Sequence, residues 1–435
     1  MTSLVLTGPT WYAGDGTSTR GDVLLTDGVV AQTGRVAAPA DAERVDADGL
    51  VLLPGLVDLH THLREPGRED AETVCSGSRA AAAGGFTAVL AIANTTPVTD
   101  TAELAERVLD LGAACGHVDV SPIGAVTKGL AGLELAELGL MHRSRARVTV
   151  FSDDGRCVAD ARVMRRALEY VGAFGGVISQ HSQDGSLAGP TACAHEGELS
   201  GRLGLPGWPA VAESVVIARD AMLARHTGSR VHVAHVSTAE GVEVVRWAKA
   251  HGIPLTAEVT PHHLALTEER VAGYDPVNKV NPPLRPTEHA EALRAALADG
   301  TLDAVATDHA PHARHDKEHA FVDAAPGMLG LETALAVVAD LMVATGRMTW
   351  ADLARVMSLT PARIAGLAGH GRPVAAGEPA NLVLVDPQAP WTVDRDASAS
   401  LSRNNPWHGM RLGASVHTTI LRGRVTAREG APIPC

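Results

Sequence analysis

Two histidines separated by a single residue, His60 and His62, lie in the segment DLHTHLREPG, shortly after the apolar run LVLLPG. Side chains alternate between the two faces of a β-strand, so both imidazoles are expected on the same side. Two neutral imidazoles that converge on one point form half of a zinc site. The chain contains 20 histidines, so such a pair also arises by chance, and the other ligands must be found elsewhere.

Histidine and aspartate residues also follow four other apolar runs. Together with the first pair, the candidate ligands are His60, His62, Asp153, Asp154, His181, His235 and Asp308. A single histidine after a β run is usually a satisfied core or loop residue, and a single aspartate there often caps a helix. Five runs that end in this way favour a metal site, because imidazole nitrogens and carboxylate oxygens are ligands of one or two zinc ions.

The chemistry of such a site is hydrolysis. A metal ion with an open coordination position lowers the pKa of bound water from about 15.7 to about 7 and provides hydroxide at neutral pH. A carboxylate next to this hydroxide can take its proton and pass it to a leaving nitrogen. We expect Asp308, in the segment ATDHAPH, to have this role.

Eight short β runs alternate with helical segments in the middle of the chain and would position these ligands. The runs are LVDLHTH, FTAVLAIAN, HVDVSPIGAVT, RVTVFSDD, GVISQH, RVHVAHVS, IPLTAEVT and LDAVATDH. Segments rich in Ala, Leu, Glu and Arg predict helices at 101–115, 160–173, 210–227 and 239–251. Eight such units predict an α/β fold, a (β/α)8 TIM-like barrel whose C-terminal strand ends meet at one mouth. A doubly wound sheet is the alternative, but no Gly-x-Gly-x-x-Gly turn follows the first strand.

The two ends of the chain contain only short β segments. These are LVLTG, GDVLLTDGVV and GLVLLPG near the start, with NLVLVD and SVHTTILRGRVTA near the end. Neither end has enough strands to be stable alone. We therefore expect residues 1–55 and 367–435 to form one small β-sandwich domain beside a barrel at 56–366.

The composition excludes several classes of protein. A net charge of −13 argues against nucleic acid or an anionic membrane as the main partner. The start of the chain, MTSLVLTGPTWYAGDG, is not a signal peptide, and no apolar run approaches the ~20 residues of a membrane span. The cysteines are scattered and lack a C-x-x-C pair, which predicts a reducing, cytoplasmic location without a disulfide framework. They are Cys75, Cys115, Cys157, Cys193 and Cys435.

Taken in order, several motifs make the sequence similar to the dihydroorotases of the amidohydrolase superfamily. The motifs are DLHTHLREPG, ANTTPVTD, GAVTKG, FSDDG, QHSQD, VHVAHVST, KVNPPLR, ATDHAPH and PGMLGLET. The resemblance covers nearly the whole chain. It implies reversible interconversion of N-carbamoyl-L-aspartate and L-dihydroorotate, the ring-closing step of pyrimidine biosynthesis.

The resemblance also implies how Zn²⁺ is held, with one or two ions per subunit. The implied ligands of the first metal are His60, His62 and Asp308. Those of the second metal are His181 and His235. Many superfamily members bridge the metals with a carboxylated lysine after the fourth strand, where this chain has no lysine. Asp154 is the expected bridge, with Asp153 as the alternative, and the missing lysine leaves occupancy of the second site open.

A substrate carboxylate requires cationic or polar donors. Arg64 lies two residues after His62, so by alternation it should leave the first strand on the same side, and its guanidinium suits bidentate carboxylate binding. A surface salt bridge with Glu65 or Glu69 is the common alternative. Adding what the resemblance implies, the expected substrate-binding residues are His62, Arg64, Asn94, Asn281, His312, Pro326 and Gly327, the last two through backbone groups.

Other polar residues nearby are expected outside the site. Lys128 is interpreted as structural, and His309, His315 and His319 as solvated or loop-ordering. The segment 309–325 is either a mobile lid over the barrel mouth or an ordinary surface loop.

Three other functions are weighed against this interpretation. A hydantoinase or allantoinase opens a related cyclic amide, but the missing lysine and the motifs HLREP and ANTTP count against it, and nothing indicates a deaminase. A non-catalytic scaffold that assembles with aspartate transcarbamoylase is disfavoured because every ligand is present. A catalytic protein that depends on that partner for full activity or stability remains an open alternative. In either case we expect a homo-oligomer.

Overall fold

Eight parallel strands close into a barrel in the computed structural model, which describes residues 3–13 and 15–434. In chain order the barrel strands are Leu56–Thr61, Phe86–Ala91, Asp119–Pro122, Val150–Phe151, Val177–Gln180, Arg230–Val233, Leu255–Val259 and Ala304–Val305. The first three pair with one another, and so do the last five. Single parallel bridges between Gly124 and Phe151 and between Thr61 and His309 close the ring. The predicted barrel and its eight runs are confirmed.

The strands are short and apolar because each is covered on both sides. Every residue of Leu56–Thr61 and of Phe86–Ala91 is buried. Parallel strands that are buried on both faces read as continuous apolar runs rather than as an alternating pattern. The polar residues that follow them therefore mark the mouth of the barrel.

The helices that cover the barrel begin and end at recognisable residues. Thr238 accepts a hydrogen bond from Gly241 N–H (3.0 Å) and starts the helix Ala239–Ala250. The helix Ala102–Cys115 stops at Gly116, whose φ of 69° suits glycine. The α-helices are Val74–Ala83, Ala102–Cys115, Leu138–Arg143, Ala161–Gly172, Gly185–Ala188, Glu198–Leu203, Val211–Thr227, Ala239–Ala250, Pro261–Ala265, Thr287–Ala298, Arg314–Lys317, Ala334–Val338, Trp350–Ala354 and Thr360–Ala365. The last three are joined to π-helical turns at Ala339–Val343 and Arg355–Leu359.

The chain ends build two further sheets. A four-stranded sheet contains, in spatial order, Val29–Gly34, Asp22–Thr26, Leu4–Thr7 and Glu43–Asp46. A seven-stranded sheet contains Ala431–Pro432, Arg424–Arg428, Ser415–Leu421, Leu382–Asp386, Val51–Pro54, Thr10–Tyr12 and Ser18–Arg20. The two ends meet where Leu382–Asp386 pairs antiparallel with Val51–Pro54. A shared apolar core that includes Leu6 and Leu384 lies between the sheets, and the domain bounds 1–55, 56–366 and 367–435 stay a prediction.

Two observations bear on the expected location. None of the helices within 3–13 and 15–434 combines the length and apolar character that crossing a membrane requires. Cys75, Cys157 and Cys193 carry free thiols. Cys435 lies outside the described residues, as do Met1, Thr2 and Gly14 of the N-terminal segment.

Candidate metal centre

The ends of the first, fourth and eighth barrel strands bring two histidines and two aspartates together. His60 Nε2 lies 3.3 Å from Asp154 Oδ1 and 3.6 Å from Asp308 Oδ1. His62 Nε2 lies 3.1 Å from Asp308 Oδ1 and 3.4 Å from Asp154 Oδ2. All four residues are buried. The two imidazoles therefore face the same pair of carboxylates.

The fifth and sixth strands add two more histidines that contact Asp154. His235 Nε2 is 3.3 Å from Asp154 Oδ1, and His181 Nδ1 is 3.6 Å from the same oxygen. The two rings approach each other to 2.9 Å between His181 Nδ1 and His235 Nε2. Asp154 thus lies within 3.6 Å of all four histidines, three of them through Oδ1 and His62 through Oδ2.

Asp153 is engaged elsewhere. Its Oδ1 accepts hydrogen bonds from the N–H groups of Val126 (2.8 Å) and Thr127 (3.0 Å), and Thr127 Oγ1 donates to its Oδ2. Both oxygens are therefore occupied in holding the loop after the third strand. Of the two adjacent aspartates, the geometry favours Asp154 as the ligand.

Three of the four histidines are oriented by an acceptor on the outer ring nitrogen. The pairs are His60 Nδ1 with Glu258 Oε1 (3.1 Å), His62 Nδ1 with Asn94 Oδ1 (3.0 Å) and His181 Nε2 with Gln183 Oε1 (2.9 Å). An acceptor at the outer nitrogen places the proton there and leaves the inner nitrogen with its lone pair towards the cluster. This is the arrangement of ligating histidines, and it makes Glu258 and Gln183 part of the site.

The cluster is electrostatically arranged for a cation. Burial alone would raise the pKa of Asp154, but the surrounding histidines, His60 first, hold it well below its usual range. Burial likewise opposes ionisation of Glu258, yet hydrogen bonds from His232 and His60 lower its pKa to about 2. The carboxylates of Asp154 and Glu258 therefore stay ionised although they are buried. Buried carboxylates are stable only when positive charge lies near them.

The residues present fit a divalent metal ion. His60 Nε2 is buried and has no hydrogen-bond partner among residues 3–13 and 15–434. The sets whose ligand atoms all lie within 4.8 Å of one another are His60, Asp154 and His235, and His60, His62 and Asp308. Ligand atoms at zinc–ligand distances from a tetrahedral centre are about 3.3 to 3.5 Å apart, close to the 3.1–3.6 Å found between these histidines and carboxylates. Nitrogen and oxygen donors in this arrangement indicate a metal cofactor.

Three residues of the site have a left-handed backbone that is uncommon for side chains of this size. The φ angles are 60° at Arg64, 33° at His235 and 45° at Asp308. Each follows a strand that ends earlier, at Thr61, Val233 or Val305. The prediction that Arg64 leaves the strand by simple alternation is wrong, because the backbone has already turned there.

Arg64 is directed towards the loop after the eighth strand. Its Nε donates to Pro311 O (3.0 Å), and its Nη2 is 3.4 Å from His312 Nε2. Glu65 and Glu69 instead accept from backbone N–H groups, so neither pairs with Arg64. Burial lowers the pKa of Arg64 to about 10, which leaves it cationic at neutral pH. The structure thus places a partly buried positive charge beside the candidate metal ligands.

The remaining residues predicted to bind substrate differ in whether their polar groups already have hydrogen-bond partners. Asn281 Oδ1 is buried without a hydrogen-bond partner. The backbone groups are already used, since Gly327 N–H donates to Lys279 O (2.8 Å) and Pro326 O accepts from His312 Nε2 (2.8 Å). A cavity of about 660 Å³ opens beside them and is lined by Gln183, Lys279, Asn281 and Pro326, among others.

The residues expected outside the site lie outside the ligand cluster. Lys128 pairs with a surface glutamate at 2.7 Å. His315 and His319 are exposed, whereas His309 is buried and accepts from Gly330 N–H (3.2 Å), so it orders its loop. Whether the loop 309–325 moves stays a prediction.

His262 was not anticipated from the sequence. It follows the seventh strand, and its buried Nε2 has no hydrogen-bond partner. Burial lowers its pKa to about 4, and the charges of Asp308, His235 and His60 act on its ring. The neighbouring His263 has partners on both ring nitrogens. The motif TPHH after a β run indicates a histidine at this strand end. The sequence does not show which of its two histidines faces inward.

A barrel with histidine and aspartate ligands at its C-terminal mouth defines a class, the amidohydrolases. The model of the "Amidohydrolase family" matches residues 218–426, and that of "Dihydro-orotase-like" proteins matches 49–241. Among solved structures, an L-hydantoinase (dihydropyrimidinase) from Arthrobacter aurescens superposes with a TM-score of 0.88 and 26% identity, covering 100% of this chain and 98% of that one.

Curated relatives narrow the class. A dihydroorotase of Streptomyces coelicolor is 60% identical over 409 residues, which covers 94% of this chain and 95% of that protein. A dihydroorotase of Mycobacterium tuberculosis is 57% identical over 416 residues, covering 95% and 96%. This chain belongs to the dihydroorotase family.

Proposed function

We propose that this protein is a zinc-dependent dihydroorotase that interconverts N-carbamoyl-L-aspartate and L-dihydroorotate plus water. The observation that carries the proposal is the cluster of four histidines and two aspartates at the barrel mouth in a chain 57–60% identical to dihydroorotases. The proposed ligands are His60, His62, Asp154, His181, His235 and Asp308. Zinc, when bound, supplies Lewis acidity and lowers the pKa of a water molecule.

Asp308 is the proposed proton carrier. Burial alone would raise its pKa, but the hydrogen bond with His62 and the charges of His60 and His62 lower it, so the carboxylate is ionised at neutral pH. Its contacts with both histidines use Oδ1. Oδ2 is left to take a proton and deliver it to the ring nitrogen as the amide opens. In the closing direction the same oxygen removes the proton from the carbamoyl nitrogen.

Arg64 is the proposed anchor of the substrate carboxylate. Its Nε and Nη2 are directed to the loop after the eighth strand, which leaves Nη1 for a ligand. Asn94, Asn281 and His312 are proposed to complete the substrate site. Of these, Asn281 brings an unpaired buried oxygen that suits an N–H of the ring.

The test is turnover of L-dihydroorotate by the purified protein alone, with metal content measured on the same sample. Ring opening with bound zinc would support the proposal. Bound metal with turnover of hydantoin or allantoin, but not of L-dihydroorotate, would contradict it. Activity only after addition of aspartate transcarbamoylase would support the activity and add that partner. Self-association and a cytoplasmic location stay predictions.

A further inference from the structure

The segment 387–414 connects two strands of the terminal sheet but packs on the barrel. Ser400 Oγ and Leu401 N–H donate to the buried carboxylate of Glu72, the latter at 3.1 Å. Trp407 is buried in an apolar cluster that includes Met328 and Leu284. This connecting segment is therefore part of the wall around the barrel mouth.

Asn404 lies at the centre of these contacts. Its side chain is buried, and its Nδ2 donates to Ala310 O (2.9 Å) and to Gly327 O (3.1 Å). Its Oδ1 accepts from His312 N–H (3.2 Å), and its backbone oxygen accepts from Leu329 N–H (3.1 Å). One amide thus connects the loop after the eighth strand with the loop at 326–329.

The two loops carry the groups that face the proposed substrate. His312 lies on the first, next to Pro311, whose oxygen holds Arg64 Nε at 3.0 Å. The loops approach closely at Gly327, where φ is 143° and a Cβ atom would lie 2.8 Å from His312 Nε2. The two loops therefore lie in close contact at Gly327. The hydrogen bonds between them fix their separation.

We propose that Asn404 is a positioning residue for substrate binding, which holds His312 and the carbonyl that orients Arg64 in register with the loop at 326–329. This inference rests on the proposed function of the site. Asn404 touches none of the metal ligands, so it acts on substrate binding through the loops and leaves the metal cluster in place.

The experiment compares Asn404→Ala and Asn404→Asp with the neighbouring Asn405→Ala. Asn405 is also buried, but its side-chain oxygen accepts only from Trp407 N–H (2.9 Å), within the connecting segment. Asn404→Asp has the same shape, keeps the acceptor for His312 N–H and removes both donors. KM and kcat for L-dihydroorotate, metal content and melting temperature are measured for each variant.

Both Asn404 variants are expected to raise KM about tenfold or more while kcat stays within about threefold and metal content is unchanged, because a lost uniform binding contact acts on KM. Asn405→Ala should keep the wild-type KM. A wild-type KM in Asn404→Asp would overturn the proposal. So would failure of both Asn404 variants to fold when Asn405→Ala folds, since the contacts would then be purely structural. Absence of wild-type turnover both with and without added aspartate transcarbamoylase would instead contradict the proposed function itself.

Discussion

The two ends of the barrel contain the same kinds of residue, histidine and aspartate, in opposite arrangements. At the end opposite the metal site, His370 Nε2 is 2.9 Å from Asp119 Oδ2 and its Nδ1 is 3.1 Å from Thr87 Oγ1. Arg422 Nη1 donates to Asp119 Oδ1 at 2.7 Å. Each ring nitrogen of His370 therefore has its own partner.

At the mouth the polar atoms converge instead of forming separate pairs. His181 and His235 bring ring nitrogens to 2.9 Å, and His60 Nε2 has no hydrogen-bond partner. Buried polar groups are normally satisfied, so an unsatisfied group in a polar cluster requires an explanation such as a bound ion. A histidine beside an aspartate is thus not by itself a sign of a functional site. What distinguishes the mouth from the His370 site is a buried ring nitrogen without a hydrogen-bond partner.

The largest expected effect is on Asp308. Asp308→Asn removes the proton carrier but keeps the shape and one oxygen ligand, so metal should be retained while turnover falls at least about a thousandfold. Steady-state turnover and metal content on one preparation measure this. The matched variant at the opposite end, Asp119→Asn, should keep wild-type turnover, and near-normal turnover of Asp308→Asn would remove it as the carrier.

A second test separates the adjacent aspartates. Asp154→Asn should lose bound metal and lower turnover about a hundredfold, because it replaces an anionic ligand that contacts all four histidines. Asp153→Asn should keep the metal, since the oxygens of Asp153 hold backbone and hydroxyl donors. Metal analysis after dialysis distinguishes them, and the reverse pattern would reassign the bridge to Asp153.

A smaller effect is expected from the substrate anchor. Arg64→Ala should raise KM for L-dihydroorotate about ten- to hundredfold with metal content unchanged, because a charge-assisted hydrogen bond contributes about 1.5 to 3 kcal/mol. Arg68→Ala is the control, since Arg68 pairs with Asp70 and Asp316 on the surface. An unchanged KM in Arg64→Ala would exclude Arg64 as the anchor.

The smallest effect is expected at the opposite end and concerns stability alone. Although burial opposes ionisation, the hydrogen bonds with His370 and Arg422 lower the pKa of Asp119 below its ordinary 3.8. Its stabilisation is therefore complete above that pH and is lost as the pH falls through the lowered value. Because the Asp119 side chain is 38% exposed and solvent screens its contacts, Asp119→Asn should lower the free energy of unfolding by only about 0.5 to 1 kcal/mol at neutral pH. The variant should also lose less stability than the wild type as the pH falls from 7 to 3. Denaturant titration at each pH measures this, and the same pH profile in both proteins would contradict it.

The sequence predicted the fold, and it predicted which histidines and aspartates meet at the barrel mouth, because both depend on local signals. Each barrel strand is an apolar run, and each ligand follows its run by a few residues, as with His181 after Val177–Gln180. The closed barrel then determines which ligands meet. The seven residues expected to bind substrate stay predictions. Loops rather than strands place most of them, so a position after an apolar run does not determine where their side chains lie.

What the sequence did not reveal depends on contacts between distant residues. Glu258 lies inside a strand pattern and meets His60 at a sequence separation of 198 residues. Asn404 lies in a connection that has no regular pattern, and nothing local indicates its two partner loops. The left-handed backbone at Arg64 is another example, since nothing in the residues around it indicates a positive φ.

The contacts of Asn404 also have a consequence for synthesis on the ribosome. This residue is made 94 residues after Ala310, one of the loop residues that it holds. At about 5 to 20 residues per second, translation needs roughly 5 to 20 s to cover that interval. The nascent chain therefore has all the proposed metal ligands before the proposed substrate loops are fastened, and ion capture can precede substrate competence during biosynthesis.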